Sequence, residues 1–240
     1  MKAILLAAGL GTRLKPLTDS RPKALVRLAG NALIDIVLER LVASGFDFIV
    51  INLHHFPQQI KAHLADSPFR PHIHFSLEKE ILETGGGIKK IVREYDLQEP
   101  VLVHNVDILS SIDLKMLYEQ HLKNEALATL AVQDRKTKRY LVFDEQNQLC
   151  GRGSPEKEAE LVRKPQGRIA FLGFCGIHVV NPLVYRNVAE NKFSSIDLYL
   201  KLSAQGQRIL GCRIDSFYWR DLGRPQDLQA AEEDIRRGKL

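Results

Sequence analysis

The chain has 240 residues, is 45% hydrophobic and 26% charged, and carries a formal net charge of +5. These values are typical of a globular protein that buries its own core, and the length suits one large α/β domain. The mild positive charge fits either a solvated basic surface or a site for phosphates. Because no long Lys/Arg block occurs and aromatic residues make up only 7%, nucleic acid is not expected as a partner.

Cysteine usage and hydropathy indicate the compartment. Cys150, Cys175 and Cys212 have no metal-type spacing, and their odd number argues against a disulfide framework. No apolar stretch reaches the length of a membrane span, and the N-terminal apolar run barely reaches that of a signal peptide before a charged loop follows. We therefore expect a cytoplasmic protein with no membrane partner.

Strands and helices alternate in the first half of the chain. The apolar runs predict strands over 2–8, 46–53, 72–78, 100–109 and 127–133. Helical spacing predicts helices over 33–45, 57–66 and 113–125, and a glycine turn opening a further helix over 84–95. This alternation predicts crossover units and a mostly parallel sheet.

The second half has a different pattern. The predicted elements are a hairpin over 139–151, a long strand over 169–180, a helix over 194–206 with a serine cap, a strand over 207–215, a loop over 217–225 and a terminal helix over 225–239. No repeat or linker is visible. We expect a single domain over 1–240, with a substrate-facing portion after about residue 134.

The loop after the first predicted strand carries the clearest chemical signal. Gly9 and Gly11 lack side chains, so backbone N–H groups can approach a phosphate closely. Arg13 can contact two phosphate oxygens at once, and Lys23 brings a compact positive charge from the far end of the loop. The loop lacks the GK[ST] ending of a P-loop, and Leu14 stands where a dinucleotide fingerprint needs its third glycine.

The segment "LAAGLGTRLKPLTDSRPKAL" closely resembles the signature of the sugar-1-phosphate nucleotidyltransferases. The resemblance continues in order through "LETGGGIKK", "HNVDIL", "FLGFCGIHVVNP" and "WRDLGRPQDL", and so covers nearly the whole chain. It implies the nucleotide-diphospho-sugar transferase fold, a Rossmann-like three-layer α/β sandwich with a mostly parallel mixed sheet. It also implies coupling of a nucleoside triphosphate to a sugar phosphate with release of pyrophosphate. The single domain over 1–240 would then have a nucleotide-binding portion over 1–133 and a sugar-binding portion over 134–240.

The same resemblance assigns roles to the glycine loop and to a second glycine-rich segment. Arg13 and Lys23 would be catalytic, Arg13 on the β- and γ-phosphates and Lys23 near the α-phosphate. Backbone around Leu82 and Glu83 would read the base. The nucleotide-binding residues implied in this way are Ala7, Ala8, Gly9, Gly11, Thr12, Arg13, Lys23, Glu78, Leu82, Glu83, Gly85 and Gly86.

Two aspartates are candidates for a metal site. Asp107 ends an apolar strand, where a carboxylate reaches the ligand crevice of an α/β sheet, and Asp221 precedes a glycine loop. By resemblance this pair holds the catalytic Mg²⁺, which prefers one or two carboxylates plus substrate phosphates. We interpret Asp113 and Asp215 as structural. The histidines have no zinc-type partners in sequence, so zinc is not expected.

The sugar-binding residues implied by the resemblance are Asn105, Val106, Leu172, Gly173 and Lys164. This chain departs from the family's pattern at two of the relevant positions. Val106 stands where a glycine is common and would either narrow the sugar pocket or shift the sugar. Arg163 stands where a glutamate is common, and it cannot accept a hydrogen bond from a sugar hydroxyl. It would instead contact an anionic group on the sugar or turn away from it.

The short length and "ETGGG" look most like the bacterial N-acetylmuramate-1-phosphate uridylyltransferases, which serve nucleotide-sugar biosynthesis for the cell wall. We therefore expect UTP and N-acetylmuramate-1-phosphate or a related hexose phosphate as substrates of a monomer or homodimer. GTP with mannose-1-phosphate is the alternative, and a phosphocholine-type acceptor is a neighbouring one. A different class, a non-catalytic subunit that senses nucleotide sugars, stays open because of Val106 and Arg163.

Overall fold

The computed structural model describes residues 1–239. The strands are β1 (Lys2–Leu6), β2 (Arg27–Leu28), β3 (Asn31–Ala32), β4 (Phe48–Leu53), β5 (Ile73–Leu77), β6 (Val101–Asn105), β7 (Ile108–Ser110), β8 (Ala128–Gln133), β9 (Tyr140–Phe143), β10 (Leu149–Ser154), β11 (Lys157–Leu161), β12 (Ala170–Val180), β13 (Ile209–Arg213) and β14 (Trp219–Asp221). The α-helices are α1 (Leu33–Ala43), α2 (Pro57–His63), α3 (Glu83–Glu94), α4 (Leu114–Asn124), α5 (Ser195–Ala204) and α6 (Pro225–Arg236). Within the described residues, no helix combines the length and apolarity that crossing a membrane requires.

The chain folds into two compact units. The first contains residues 1–81, 104–114 and 217–239, and the second contains 82–103 and 115–216. The single-domain organisation expected from the sequence, with its division near residue 134, stays a prediction.

The first unit is built on parallel strand pairing. β1 pairs with β4, and β4 pairs with β5, both in parallel register, as expected of strands joined by helical crossovers. Two small antiparallel pairs, β2 with β3 and β7 with β14, complete its strands.

A hydrophobic cluster of the first unit anchors the loops that carry the candidate site. It joins residues from separate parts of the chain, namely Leu14, Val26, Leu28, Leu33, Leu109, Leu222, Leu228 and Ala231. Burying apolar side chains in this way stabilises by about 25 cal/mol per Å² of apolar surface. The glycine loop, β7, β14 and α6 are therefore held by one common core.

The second unit has a mixed sheet. β12 pairs antiparallel with both β8 and β9, β10 pairs antiparallel with β9 and β11, and β13 pairs parallel with β8. Gly176 has a φ of +73°, and the register of β12 on β8 shifts between Phe174 and His178. This irregularity lets one long strand continue past a bulge, a conformation that glycine adopts without strain.

Most predicted elements are confirmed, but some features differ from the predictions. The strand expected over 100–109 is interrupted at Val106 and Asp107, which form a turn between β6 and β7, while the N–H of Val106 still donates to the carbonyl oxygen of Leu6 in β1 at 3.1 Å. The segment expected as a loop over 217–225 contains β14, and β2, β3 and β11 were not predicted. The glycines 85–87 lie within the first turns of α3 rather than in a turn before it.

Candidate functional site

The glycine loop is shaped by local hydrogen bonds. Gly11 has a φ of +67°, and a Cβ built on it would lie 2.9 Å from Cγ2 of Thr18. Its carbonyl oxygen accepts from Leu14 N at 2.8 Å and from Oγ1 of Thr18 at 2.8 Å. A side chain at Gly11 would therefore be strained and would also collide. A Cβ on Gly9, by contrast, meets nothing within 4 Å, so the loop there is open to a ligand.

Two short 3₁₀ helices present the basic side chains. In Thr12–Leu14, Leu14 is fully buried in the hydrophobic cluster, which leaves its neighbour Arg13 exposed. In Lys23–Leu25, Ala24 is buried, and Nζ of Lys23 donates to Oδ2 of Asp107. Because the side chains of Lys23 and Asp107 are only 12% and 18% exposed, their attraction is less screened than that of a surface pair.

Strand pairing brings the two candidate metal ligands together. Asp221 lies opposite Ile108 in the β7–β14 pair, and Leu222 N donates to the carbonyl oxygen of Asp107 at 2.8 Å. Burial raises the pKa of Asp221, and the charge of Asp107 raises it further, while Lys23 and Arg13 act in the opposite direction. Oδ1 of Asp221 is buried without a hydrogen-bond partner among the described residues. An orphaned carboxylate oxygen of this kind requires an explanation.

Gly223 allows a guanidinium and a carboxylate to approach the same backbone. A Cβ built on Gly223 would lie 2.7 Å from Nη2 of Arg13 and 2.7 Å from Oδ1 of Asp221. The N–H of Gly223 also favours the charged form of Asp221, which lowers its pKa. The first unit thus gathers Arg13, Lys23, Asp107 and Asp221 in one cluster.

Replacing Gly223 with alanine tests this packing. The added methyl group would collide with both the Arg13 guanidinium and the Asp221 carboxylate, and the longer, exposed Arg13 side chain would move away. We expect the KM for the nucleoside triphosphate that the sequence predicts as substrate to rise by about tenfold, which corresponds to a loss of roughly 1.4 kcal/mol of binding. Gly238→Ala is a suitable control, because a Cβ there meets nothing within 4 Å, although its φ of +69° makes a small loss of stability expected. A KM equal to that of the unmodified enzyme would contradict the proposed packing.

The cluster fits a hard divalent cation. The carboxylates of Asp107, just after β6, and Asp221, at the end of β14, interact electrostatically. Oδ1 of Asp221 lacks a donor among the described residues. One or two carboxylates are the ligands that Mg²⁺ usually takes from a protein. The cluster offers two carboxylates only, and no group of three or more His, Cys, Asp or Glu side chains in residues 1–239 is arranged to hold a metal. His104 is buried beside the cluster, and desolvation lowers its pKa to about 4, so its ring is neutral near pH 7.

A buried polar chain supports the start of the glycine loop. Asn52 accepts from Ala7 N at 2.7 Å and donates to Oε1 of Glu78 at 2.6 Å. Glu78 is only 3% exposed, and its backbone N–H donates to Leu53 O at 2.7 Å. Glu78 thus reaches the loop through Asn52, a residue that no motif in the sequence singled out. Its predicted contact with the nucleotide stays a prediction.

The other predicted residues of the first unit lie close to the cluster in sequence. Ala8 is half-buried and Thr12 exposed in the glycine loop, and Asn105 and Val106 directly precede Asp107. Val106 is 4% exposed, so its branched side chain is largely packed inside. The carbonyl oxygen of Asn105 lies 2.8 Å from Nδ1 of His104.

The residues predicted to read the base lie in the second unit, at the start of α3. Leu82 is half-buried and Glu83 exposed. Gly85 N donates to Phe193 O at 2.9 Å, and a Cβ on Gly86 would lie 2.1 Å from Asn191 O. The two glycines are therefore needed because the backbone of Phe193 and Asn191 packs closely against α3. The predicted contact of Gly85 and Gly86 with the base stays a prediction.

The predicted sugar-binding residues also lie in the second unit. Leu172 is 2% exposed, Lys164 is exposed, and a Cβ on Gly173 would lie 2.8 Å from Cζ of Arg135. Arg135 was not singled out from the sequence, because nothing near it in the chain indicates that its guanidinium covers Gly173. Nη1 of Arg163 donates to Oε1 of Gln148 at 2.7 Å.

The aspartates interpreted as structural have local partners. Asp215 accepts from Nε of Arg213 at 2.7 Å and from Asp134 N at 2.7 Å, within the second unit. Asp113 interacts electrostatically with Arg40 in the first unit. Neither takes part in the Asp107 and Asp221 pair.

Comparisons with known proteins agree on the class. The sequence model of the family described as Nucleotidyl transferase matches residues 2–238. The N-acetylmuramate alpha-1-phosphate uridylyltransferase of Caulobacter vibrioides is 36% identical over 240 residues, which cover 96% of this chain and 95% of that one. The mannose-1-phosphate guanylyltransferase of Mycobacterium tuberculosis is 29% identical, over 98% of this chain but only 65% of that longer protein.

The fold comparison gives the same result. A crystal structure of apo UDP-glucose pyrophosphorylase matches with a TM-score of 0.77 at 17% identity, covering 100% of both chains. At this identity the likeness shows the fold, and it confirms the predicted α/β fold of nucleotide-diphospho-sugar transferases. The chain belongs to the nucleotidyl transferase family, and it is an enzyme of the sugar-1-phosphate nucleotidyltransferase class, as the sequence predicted.

Proposed function

We propose that the chain forms an NDP-sugar and pyrophosphate from a nucleoside triphosphate and a sugar-1-phosphate, with a divalent cation. The observation that supports this most is the cluster of Arg13, Lys23, Asp107 and Asp221, in which basic and acidic groups balance around a carboxylate oxygen that lacks a donor. Such a cluster suits a reaction between two polyanions, which positioning and charge neutralisation govern.

The proposed step is an in-line displacement. A phosphate oxygen of the sugar-1-phosphate forms a bond to the α-phosphorus of the triphosphate. The bond from that phosphorus to the oxygen bridging toward the β-phosphorus breaks, and pyrophosphate leaves with that oxygen. No covalent enzyme intermediate is involved.

Arg13 and Lys23 divide the negative charge of the triphosphate between them. Arg13 is exposed at the open end of the glycine loop and would bind the β- and γ-phosphates, with two N–H groups on two oxygens. Lys23 is more enclosed and would stabilise the charge that grows at the α-phosphate. Backbone N–H groups near Gly9 are accessible for further phosphate contacts.

Asp107 and Asp221 would hold Mg²⁺, which when bound supplies a positive charge for the phosphate oxygens. Lys23 donates to Asp107 in the present arrangement. A bound triphosphate would offer Lys23 a second anionic partner. The acidic pair and the basic pair are therefore suited to act on the same ligand.

UTP with N-acetylmuramate-1-phosphate, or a related hexose phosphate, is our first choice of substrates. It is supported by the 36% identity to the uridylyltransferase over almost the full length of both chains. GTP with mannose-1-phosphate is the second choice, supported by the guanylyltransferase relative. The three cysteines are free and buried, which supports a reducing, cytoplasmic setting.

A pyrophosphate-release assay tests this proposal. The panel combines each of the four common nucleoside triphosphates with N-acetylmuramate-1-phosphate, mannose-1-phosphate and glucose-1-phosphate. We expect the highest kcat/KM for UTP with N-acetylmuramate-1-phosphate. Tight nucleotide binding without release from any pair would instead favour the non-catalytic, nucleotide-sugar-sensing alternative.

A further inference from the structure

The strand that carries Asp221 has two different faces. Successive side chains of a strand point to opposite sides, so Tyr218, Arg220 and Leu222 share one side of the β14 segment. Tyr218 and Leu222 pack in the hydrophobic cluster with Leu228 of α6. Asp221 lies on the other side, with the charges of the candidate site. Helix α6 therefore supports the strand from behind.

One carboxylate of α6 holds that rear side by directional bonds. Asp234 is 5% exposed, and its Oδ2 accepts from Nη2 of Arg220 at 2.5 Å and from the hydroxyl of Tyr218 at 3.0 Å. Nε of Arg220 donates to that same hydroxyl at 3.1 Å, and Nζ of Lys239 donates to Oδ1 of Asp234 at 2.8 Å. Both chain neighbours of Asp221 are thus held in place. Arg220 is held by this network, and Leu222 is held by its N–H, which donates to the carbonyl oxygen of Asp107.

We propose that Asp234 is a positioning residue for the cation site: by holding Arg220 and Tyr218 on the rear of β14, it fixes the direction in which Asp221 presents its carboxylate. The inference rests on the proposed function, because it concerns the affinity of Asp107 and Asp221 for a divalent cation. Asp234 touches neither of them and acts only through β14.

Three physical points favour this role over simple stabilisation of α6. The apolar contacts of Leu228 and Ala231 already attach α6 to the hydrophobic cluster. Burying the charged groups of Asp234 and Arg220 beside that cluster costs desolvation free energy, so the network adds little net stability to the helix. What the network adds is direction, since charge-assisted hydrogen bonds constrain angle as well as distance. The network also keeps the guanidinium of Arg220 away from the adjacent carboxylate of Asp221, where it would compete with a cation.

Asp234→Asn tests the proposal through cation binding rather than turnover. Mn²⁺ serves as the probe, and its Kd is measured by electron paramagnetic resonance on the full chain without nucleotide. We expect Asp234→Asn to weaken Mn²⁺ binding by about tenfold, the lower end of the effect of removing a group that orients a metal ligand. Asp234→Glu should restore part of the affinity. Glu233→Gln is the control, since it removes a carboxylate from the same helix at an exposed position.

A double-mutant cycle separates positioning from general stability. In an Asp221→Asn background, Asp234→Asn should change the Mn²⁺ Kd no further, because its effect passes through Asp221. If Asp234→Asn does not fold, Tyr218→Phe keeps the ring in the core, removes one bond of the network and should weaken Mn²⁺ binding by about two- to threefold.

The outcomes distinguish this inference from the proposed function. Equal Mn²⁺ affinity of the unmodified protein, Asp234→Asn and Tyr218→Phe would overturn the positioning role alone. Loss of affinity in Asp234→Asn that is equally large in the Asp221→Asn background would also overturn it. An unmodified protein that neither binds Mn²⁺ nor releases pyrophosphate would overturn the proposed function and this inference together.

Discussion

Lys23→Ala is expected to lower kcat by about 10²- to 10³-fold, the usual loss when one fixed group that stabilises developing charge is removed. The reason is geometric. Lys23 lies in a short 3₁₀ helix that is anchored by the buried side chain of Ala24. Its Nζ group therefore already contacts Asp107 before a ligand binds. No solvent molecule replaces such a group without reorganisation. The measurement is steady-state pyrophosphate release at saturating substrates.

Lys15→Ala is the matched control for this change. Lys15 belongs to the same loop, but its side chain is 62% exposed and pairs with Asp19 at 3.2 Å. An exposed pair of this kind contributes little, about 0–1 kcal/mol, so kcat should be unchanged. A normal kcat in Lys23→Ala, or an equal loss in both variants, would remove the proposed role of Lys23.

Asp107→Asn is expected to lower kcat by about a hundredfold or more, because losing a cation's charge at the phosphates costs several kcal/mol. The substitution replaces a negative ligand by a neutral amide of nearly the same shape. It also leaves Lys23 without its carboxylate, so the balance of charge in the cluster becomes more positive. A titration of pyrophosphate release with Mg²⁺ should reach its midpoint at a much higher Mg²⁺ concentration.

Asp19→Asn provides the comparison for Asp107→Asn, since it removes one carboxylate from the glycine-loop segment at a side chain that is 53% exposed. Its Mg²⁺ titration should match that of the unmodified enzyme. An Asp107→Asn titration that also matched would count against Asp107 as a ligand. The metal assignment would then have to be abandoned.

Local signals in the sequence were sufficient for most of the fold. The apolar run before Gly9 predicts β1 because a buried strand needs apolar residues on both faces. The serine before α5 predicts its start, and Ser194 does accept from Ile196 N at 3.2 Å. In both cases the determining residues are neighbours in the chain.

Other features depend on distant partners and could not be predicted. β14 is three residues long and forms only because β7 lies beside it. The glycines of α3 resemble a turn in sequence, yet they are required by the approach of Phe193 and Asn191. A single sequence contains no signal for such pairings.

The same distinction applies to the candidate site. Arg13, Lys23, Asp107 and Asp221 are recognisable because each stands in a characteristic local segment. Asn52 and Asp234 support the site from behind, but each is an ordinary polar residue in its strand or helix. Their importance becomes visible only when the partners they contact are known.

The proposed transfer is tested most directly by ³¹P NMR of the unmodified enzyme with UTP, N-acetylmuramate-1-phosphate and Mg²⁺. We expect pyrophosphate and UDP-sugar to appear in equal amounts, neither to form when the sugar phosphate is omitted, and chelation of the cation to stop both. The proposal would be contradicted if Asp107→Asn and Asp221→Asn formed product as fast as the unmodified enzyme does. Pyrophosphate release without the sugar phosphate would contradict it as well.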